Sequence, residues 1–359
     1  MQIITNNRKF EPGTMFHEST SNSFVNCAFF YPSLRQGLFQ LFQQLKLKSI
    51  LLPSFCPEGL INPFIQLGYD IQYYDVDVNG NIKNNFDKIT TDVFIYIHYF
   101  GLYNEYNIQK IKKYISSDTI FIEDFAHTVF SYKLKLTGDY CTFSFTKMIG
   151  VSEGSCILFN NTPILPTPYQ RQRGIDNRLK LSLYLHLMQQ SYLSNKYISL
   201  FFDMFLFLVG LYDSYKILMS SYTSNYPPIG KYSNRILHTI NLEGIVNKRI
   251  QFAIIYYENL NPKLLLSLPK EYYIQQALFA FPILVKHRDD FSLKLKEKGV
   301  GPLYLTSHWW FGAQVPNALC EKHLLLPINH NLSEQDIYKV VAVVNSLYIE
   351  NEKMYNQNE

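Results

Sequence analysis

Phe121-Ile122-Glu123-Asp124-Phe125-Ala126-His127 and Cys141-Thr142-Phe143-Ser144-Phe145-Thr146-Lys147-Met148-Ile149-Gly150 decide the fold. Each begins as an apolar, strand-like run and ends in polar groups that a core alone does not need. The first sets an acid at the carboxyl end of a buried strand. A strand-end aspartate also commonly caps a helix or turn, so Asp124 alone has two readings. The second sets a lysine just past another strand, among apolar neighbours. Most lysines are solvated, and a buried one needs a reason.

Outward from these stretches, short apolar segments alternate with helical ones. Strands are expected at Ser49–Leu52, Tyr69–Tyr74, Asp92–His98, Thr119–Glu123, Tyr140–Phe145 and Cys156–Phe159. Helices are expected at Ser33–Leu45, Glu58–Leu67 and Glu105–Ile115. In the first of these, Leu34, Leu38, Leu41, Phe42 and Leu45 share one face. This alternation predicts a mainly parallel sheet covered on both sides, with ligands beyond the carboxyl ends of its strands. After residue 162 the pattern changes. Pro163, Pro166 and Pro168 mark a loop, Ile175–Met219 reads as long aromatic-rich helices, and Lys231–Asn259 returns to helix. Leu264 to Tyr348 reads as a smaller α+β unit, with a strand at Leu278–Val285 and helices at Asp289–Lys298 and Ser333–Leu347. The expected division is 1–245, holding a helical insertion at about 174–222, and 246–359.

Composition narrows the function. The chain has 359 residues, 47% hydrophobic and 17% charged, enough for a sizeable core and about two domains. The net charge of +4 comes from scattered basic residues, which argues against nucleic acid as a partner. Five cysteines, an odd number with no CxxC pair, argue against a disulfide framework and fit a reducing compartment. The first twenty residues lack an apolar core, and Asp203 interrupts the most apolar stretch, Tyr197–Tyr212. No signal peptide and no membrane span are expected, and a cytoplasmic protein is. The 28 tyrosines and 27 phenylalanines read as compositional bias rather than as a ring-stacking surface.

Taken together, the two stretches fit one chemistry. Pyridoxal 5′-phosphate (PLP) needs a lysine amine for its aldehyde and a carboxylate against its pyridine nitrogen. Burial favours the neutral amine and strengthens the carboxylate–pyridinium pair. Lys147 would first carry the cofactor and then act as the base that moves a proton between Cα and C4′. The phosphate could sit at the start of the first helix, Tyr31-Pro32-Ser33-Leu34-Arg35-Gln36-Gly37, where unpaired N–H groups favour an anion. Ser33 is equally an ordinary N-cap, and Ser144 a small residue in a buried strand.

These segments resemble the fold-type-I PLP enzymes, and more closely the DegT/DnrJ/StrS sugar aminotransferases. Ser33-Leu34-Arg35-Gln36-Gly37-Leu38 resembles that family's phosphate turn, S-G-R-x-A-L. Leu52-Pro53-Ser54-Phe55-Cys56, His98-Tyr99-Phe100-Gly101 and Glu123-Asp124-Phe125-Ala126-His127 resemble its L-P-S-Y-x, H-x-x-G and E-D-x-A-H/Q stretches. Ser144-Phe145-Thr146-Lys147, Glu153-Gly154-Ser155 and Leu325-Leu326-Pro327-Ile328 with Leu332-Ser333 match further motifs in order. The resemblance implies an aspartate-aminotransferase-like α/β fold: a large, mainly parallel-sheet PLP domain followed by a small α+β C-terminal domain. It implies that Asp124 pairs with the pyridine nitrogen and that His127 sits near the ring. It also implies that Ser33, Leu34, Arg35 and Ser144 hold the phosphate, that Phe55 borders the ring, and that Lys147 links to the cofactor. A homodimer, a nucleotide-linked keto sugar as acceptor and glutamate as donor are implied too. This chain departs from the pattern at Leu34 (usually glycine), at Pro57 (near an aromatic in many relatives), at Ser155, and in a serine-to-lysine spacing of three.

Other residues carry alternatives. His98 could approach the cofactor or make a structural hydrogen bond. His308, Trp309 and Trp310 are candidates for substrate contact or for packing. Lys248-Arg249 could reach a neighbouring subunit's phosphate or lie on a solvated helix face. Two rival functions stand beside sugar amination: a PLP enzyme acting on an amino acid or another ketone, and a non-catalytic binding protein or scaffold of the same fold.

Overall fold

The computed structural model describes residues 4–5, 28–31, 33–128, 136–149, 151, 154–159, 236, 239–302 and 321–356. The expected insertion at 174–222, Glu153, and His308, Trp309 and Trp310 lie outside the described residues.

A seven-stranded sheet occupies the first half, in the order β2 (Ala28–Tyr31), β8 (Ser155–Phe159), β7 (Tyr140–Ser144), β6 (Ile120–Asp124), β5 (Val93–Ile97), β3 (Ser49–Pro53), β4 (Asp70–Tyr74). The strands from β4 to β7 pair in parallel, whereas β8 runs antiparallel to both β7 and β2. Helices α1 (Leu34–Leu45), α2 (Glu58–Gln66) and α3 (Glu105–Lys112) make the crossovers. Burial follows position in the sheet. All five residues of central β5 are buried, while edge strand β4 alternates between exposed and half-buried residues until Tyr74. Sequence runs of unbroken apolar residues therefore mark the strands covered on both faces.

Beyond the sheet, the short helix α4 (Phe145–Met148) follows β7 directly. Helix α5 (Leu242–Asn259) is capped by Asn241, whose side chain accepts the Gly244 N–H at 2.8 Å. That cap puts the helix start at Leu242, and the expected division at 245/246 falls inside this continuous helix. Helix α6 (Lys270–Ile274) leads through a strap at 277–279 into β9 (Phe281–Leu284), which pairs antiparallel with β11 (His323–Leu326). The strand expected from Leu278 thus begins three residues later, because the strap's backbone groups bond to other partners. Helix α7 (Arg288–Glu297) packs beside the long α8 (Glu334–Asn356). Ser333 and Asp336 cap α8 reciprocally, N–H to side chain in both directions, at 3.0 and 3.2 Å. The strand pair β1 (Ile4–Thr5) and β10 (Val300–Gly301) links the chain start to the C-terminal unit. One apolar core runs from Tyr31 through the sheet to Leu347.

The end of the sheet opposite the site is pinned by Asp92. Its Oδ2 accepts the N–H groups of Lys48 and Ser49 at 2.8 and 2.9 Å and the Ser49 hydroxyl at 3.1 Å. Those backbone N–H groups hold its carboxyl below the usual aspartate range. A depressed carboxyl stabilises the fold above its unfolded pKa and loses that contribution as pH falls through the folded value. Asp92→Asn is expected to cost about 0.5–1 kcal/mol at pH 7, because the group is partly open to solvent and the amide keeps one acceptor oxygen. The gap should close below about pH 4, as read from urea unfolding of both proteins across that range.

A candidate active site at the carboxyl ends of the strands

Asp124 is the last residue of β6 and pairs in register with Ile97 on one side and Thr142 on the other. It is 4% exposed. The Ala126 N–H and the Thr142 hydroxyl donate to it at 2.9 and 3.0 Å, both to Oδ1. These bonds fix the carboxylate plane and direct Oδ2 elsewhere. Burial raises the carboxyl above the usual range, and the nearby Lys147 charge opposes the rise without cancelling it. Asp124 also lies close enough to Cys56 and Tyr99 to help push both upward, after burial itself. The carboxylate therefore sits where a cation is favoured.

His127 directly follows Ala126 and is 2% exposed. The Phe100 N–H donates to its Nδ1 at 3.1 Å. A backbone N–H can only donate, so Nδ1 accepts and the neutral ring carries its proton on Nε2. Burial, helped by the Lys147 charge, holds the imidazole well below the usual histidine range, so it stays neutral. Phe279 stacks on its face at 5.0 Å and 14°. The Phe100 turn is unusual: Phe100 has φ 61° and Gly101 has φ 91°. A Cβ at Gly101 would meet the His127 carbonyl oxygen at 2.3 Å, so only glycine fits there.

Lys147 lies on α4, half-buried, with Met148 beneath it only 1% exposed. Its charge reaches both Asp124 and His127. Ser144, at the head of α4, shares a 3.2 Å hydrogen bond with Thr146. The Phe145 N–H bonds to the Gly154 carbonyl, and the Ser155 hydroxyl to the Tyr31 carbonyl at 3.3 Å. The serine at position 155 thus ties β8 to β2 instead of approaching a ligand.

At the start of α1, Ser33 accepts the Gln36 N–H at 3.4 Å, leaving the first-turn N–H groups of Leu34 and Arg35 outside that cap. Leu34 has helical backbone, and its φ is not positive. The position therefore does not need glycine's conformational freedom. Arg35 turns its guanidinium to the first turn of α2, where a Cβ on Gly59 would meet Nη2 at 2.8 Å. Phe55 is fully enclosed, with its ring 6.0 Å from that of Tyr99, whose hydroxyl donates to the Phe55 carbonyl. Its visible part in the site is to back Tyr99.

His98 takes the structural alternative. Its Nε2 lies 3.1 Å from Glu123 Oε1, and its ring is stacked between Phe125 at 4.1 Å and Tyr103 at 5.2 Å. Glu123 Oε2 accepts the N–H groups of Thr137 and Gly138 at 2.7 and 2.6 Å. Arg249 is buried instead of solvated. Its guanidinium donates to the carbonyls of Leu278 and Phe279 and to that of Met148. Thr142, Phe279 and Arg249 escaped the sequence reading in these roles. Only the Asp124–Thr142 register is local enough to be guessed from strand alternation.

The donor set suits PLP. A buried carboxylate oriented through one oxygen, a neutral Nε2–H imidazole, a lysine whose charge reaches both, and hydroxyls at Ser33 and Ser144 match its ring nitrogen, phenolic oxygen, aldehyde and phosphate. Asp124, oriented by Thr142, would hold the ring nitrogen, His127 the phenolic oxygen, and Lys147 the aldehyde carbon.

No protein-family model matches the sequence, and no curated protein does. Solved structures do match. Helicobacter pylori PseC, an aminotransferase involved in the biosynthesis of pseudoaminic acid, aligns over 94% of this chain and 94% of its own, at 13% identity and TM-score 0.60. The sugar aminotransferase Spr1654 from Streptococcus pneumoniae, in its pyridoxamine-phosphate (PMP) form, aligns over 96% and 94% at 12% identity, with TM-score 0.61. DesI in the presence of its TDP-sugar product aligns over 92% and 83% at 15% identity, with TM-score 0.60. The chain has the fold of these aminotransferases over nearly its whole length.

Asp124 implies a stability test. A carboxyl raised by burial makes its ionised form costly in the folded state, and the cost grows as pH climbs from the unfolded value through the folded one. Asp124→Asn keeps an acceptor for Ala126 and Thr142 and removes the charge. Cofactor-free Asp124→Asn protein should melt about 1–2 °C above wild type at pH 8, with the difference vanishing at pH 4. Equal melting at both pH values would refute a buried, uncompensated carboxylate.

Proposed function

We propose that this chain is a PLP-dependent aminotransferase that moves an amino group from glutamate to a nucleotide-linked keto sugar, acting as a homodimer. The observation that carries this reading is the electrostatic coupling of half-buried Lys147 to buried Asp124 and to buried, neutral His127 at the carboxyl ends of β6 and β7. A scaffold would keep the sheet without needing a carboxylate and a lysine in electrostatic contact inside it. The sugar class is supported by the structural relatives, one solved in the presence of its TDP-sugar product and another in both PLP and PMP forms.

When bound, the cofactor supplies an electron-accepting ring conjugated to the reacting carbon. The chain's own residues do the rest. Asp124 keeps a proton on the ring nitrogen, since a buried carboxylate favours an adjacent cation. His127 donates its Nε2–H to the phenolic oxygen and, being neutral, adds no charge to compete with the ring. Lys147 would hold the cofactor through its aldehyde carbon, and its amine is the group placed to serve as general base. The α1 turn at Ser33–Arg35 and Ser144 seat the phosphate. Phe279, stacked on His127, and Tyr99, backed by Phe55, would keep water from that side of the site.

The test is an absorption spectrum of the purified protein with PLP, before and after borohydride, with peptide mapping of the product. Wild type should develop a visible band, and borohydride should fix the cofactor on Lys147; Lys147→Ala should show neither. In protein not treated with borohydride, added glutamate should discharge the band and release one equivalent of 2-oxoglutarate, and a keto sugar nucleotide should restore it. A folded wild type without band or capture would remove the enzyme reading. Capture with glutamate turnover, but restoration only by simple keto acids, would favour the amino-acid reading.

A further inference from the structure

The strap at 277–279 enters the second half of the chain through the site's back wall. Its backbone groups are met by Thr128 and the Phe100 turn of the first half and by Arg249 of α5. The Thr128 hydroxyl donates to the Ala277 carbonyl at 2.8 Å. Arg249 Nη1 donates to the Leu278 and Phe279 carbonyls at 2.8 and 3.3 Å. The Phe279 N–H donates to the Phe100 carbonyl at 2.9 Å. Gly101 packs so closely that a Cβ there would lie 3.1 Å from Leu278 Cα as well as against His127.

Two catalytic groups hang from this junction. Phe100, whose carbonyl accepts the Phe279 N–H, gives its own N–H, in the preceding peptide group, to His127 Nδ1 at 3.1 Å, and the Phe279 ring covers the imidazole face. Arg249 Nη2 meanwhile donates to the Met148 carbonyl at 3.2 Å, the residue directly after Lys147. Helix α4 is a single turn and cannot hold its own position through internal hydrogen bonds. The planar fork of one guanidinium therefore joins the lysine's helix to the strap that sets the histidine's proton.

We propose that Arg249 is a positioning residue, which through the 277–279 strap and the Met148 carbonyl sets the Nε2–H form of His127 and the place of Lys147 together. The Lys147 half of this rests on the PLP reading; the His127 half does not. Lysine in place of arginine keeps the charge but loses the fork, and one ammonium on a flexible stem cannot serve the three carbonyls in the same geometry.

The experiment compares wild type, Arg249→Lys, Arg249→Met and Phe279→Leu. Long-range nitrogen–proton NMR of 15N-histidine-labelled, cofactor-free protein reads the His127 tautomer, with His127→Gln identifying the signal. PLP titration and borohydride mapping read the Lys147 side. Wild type should show only Nε2 protonated. Both Arg249 variants should show mixed tautomers, and PLP affinity and the share of capture at Lys147 should fall about tenfold. Phe279→Leu removes buried ring contact but keeps the strap's backbone bonds, so it should melt lower yet keep the wild-type tautomer. If Arg249→Met does not fold, Arg249→Lys carries the comparison. Arg249→Lys with a lowered melting temperature but a wild-type His127 signal and wild-type capture would overturn the proposal and leave Arg249 a packing residue. The expected tautomer result in a wild type that captures no PLP would uphold the clamp while ending the cofactor reading.

Discussion

Two adjacent carboxylates at the end of β6 point to opposite faces of the sheet, and the site depends on that alternation. Strand geometry sends successive side chains to opposite sides, so Glu123 and Asp124 meet different surroundings one residue apart. Burial would raise Glu123, but the hydrogen bond and charge of His98 and the N–H groups of Thr137 and Gly138 outweigh it, leaving that carboxyl below its usual range. Glu123 therefore stabilises the fold at neutral pH, and this contribution is lost only as acid brings the pH down through its folded value. Asp124 has fewer donors, and its carboxyl is raised. One acid secures the structure; the other is left with a charge that a bound cation would stabilise.

The aromatic residues support this division. On the Glu123 face, His98, Phe125, Phe143 and Tyr103 form a continuous stack, with Phe125 within 5.2 Å of Phe143 at 9°. A one-residue slip of β6 would send Asp124 into that stack and Glu123 toward Lys147. The antiparallel pairing of β7 with β8 and the fixed register of Asp124 with Thr142 oppose such a slip. The high phenylalanine and tyrosine content, read from the sequence as bias, thus includes rings that hold the register.

The parallel strands, the crossover helices and the placement of Asp124, His127, Ser144 and Lys147 at strand ends were legible in the sequence. They depend on local periodicity and on short motifs within one turn or strand. Arg249 was misread because its partners are 29, 30 and 101 residues away. A lone arginine beside a lysine on a helix gives no sign that it will be swallowed by carbonyls. The start of β9 was set too early for the same reason: Leu278 and Phe279 are apolar enough for a strand, and only tertiary bonds to Arg249 and Phe100 take them out of it. At Leu34 the family pattern implied a need for glycine that the backbone does not have, since a helical φ accepts any side chain.

Among the described residues, conformational strain also falls at the Phe100 turn. Phe100 is one of three non-glycine residues with positive φ, and its neighbour Gly101 is the glycine with the closest backbone contact. A phenylalanine in the left-handed region costs of order 1 kcal/mol or more, and it persists only where surrounding bonds over-determine it. Here those bonds come from His127 on one side and Phe279 on the other, while the Phe100 ring stacks on His323 at 4.8 Å. The turn is thus held by both halves of the chain and by the histidine it orients. A looser turn of ordinary residues would relieve the strain, but it would free the Phe100 N–H to rotate away from Nδ1. The imidazole could then exchange its proton between nitrogens at the point where a fixed donor is required.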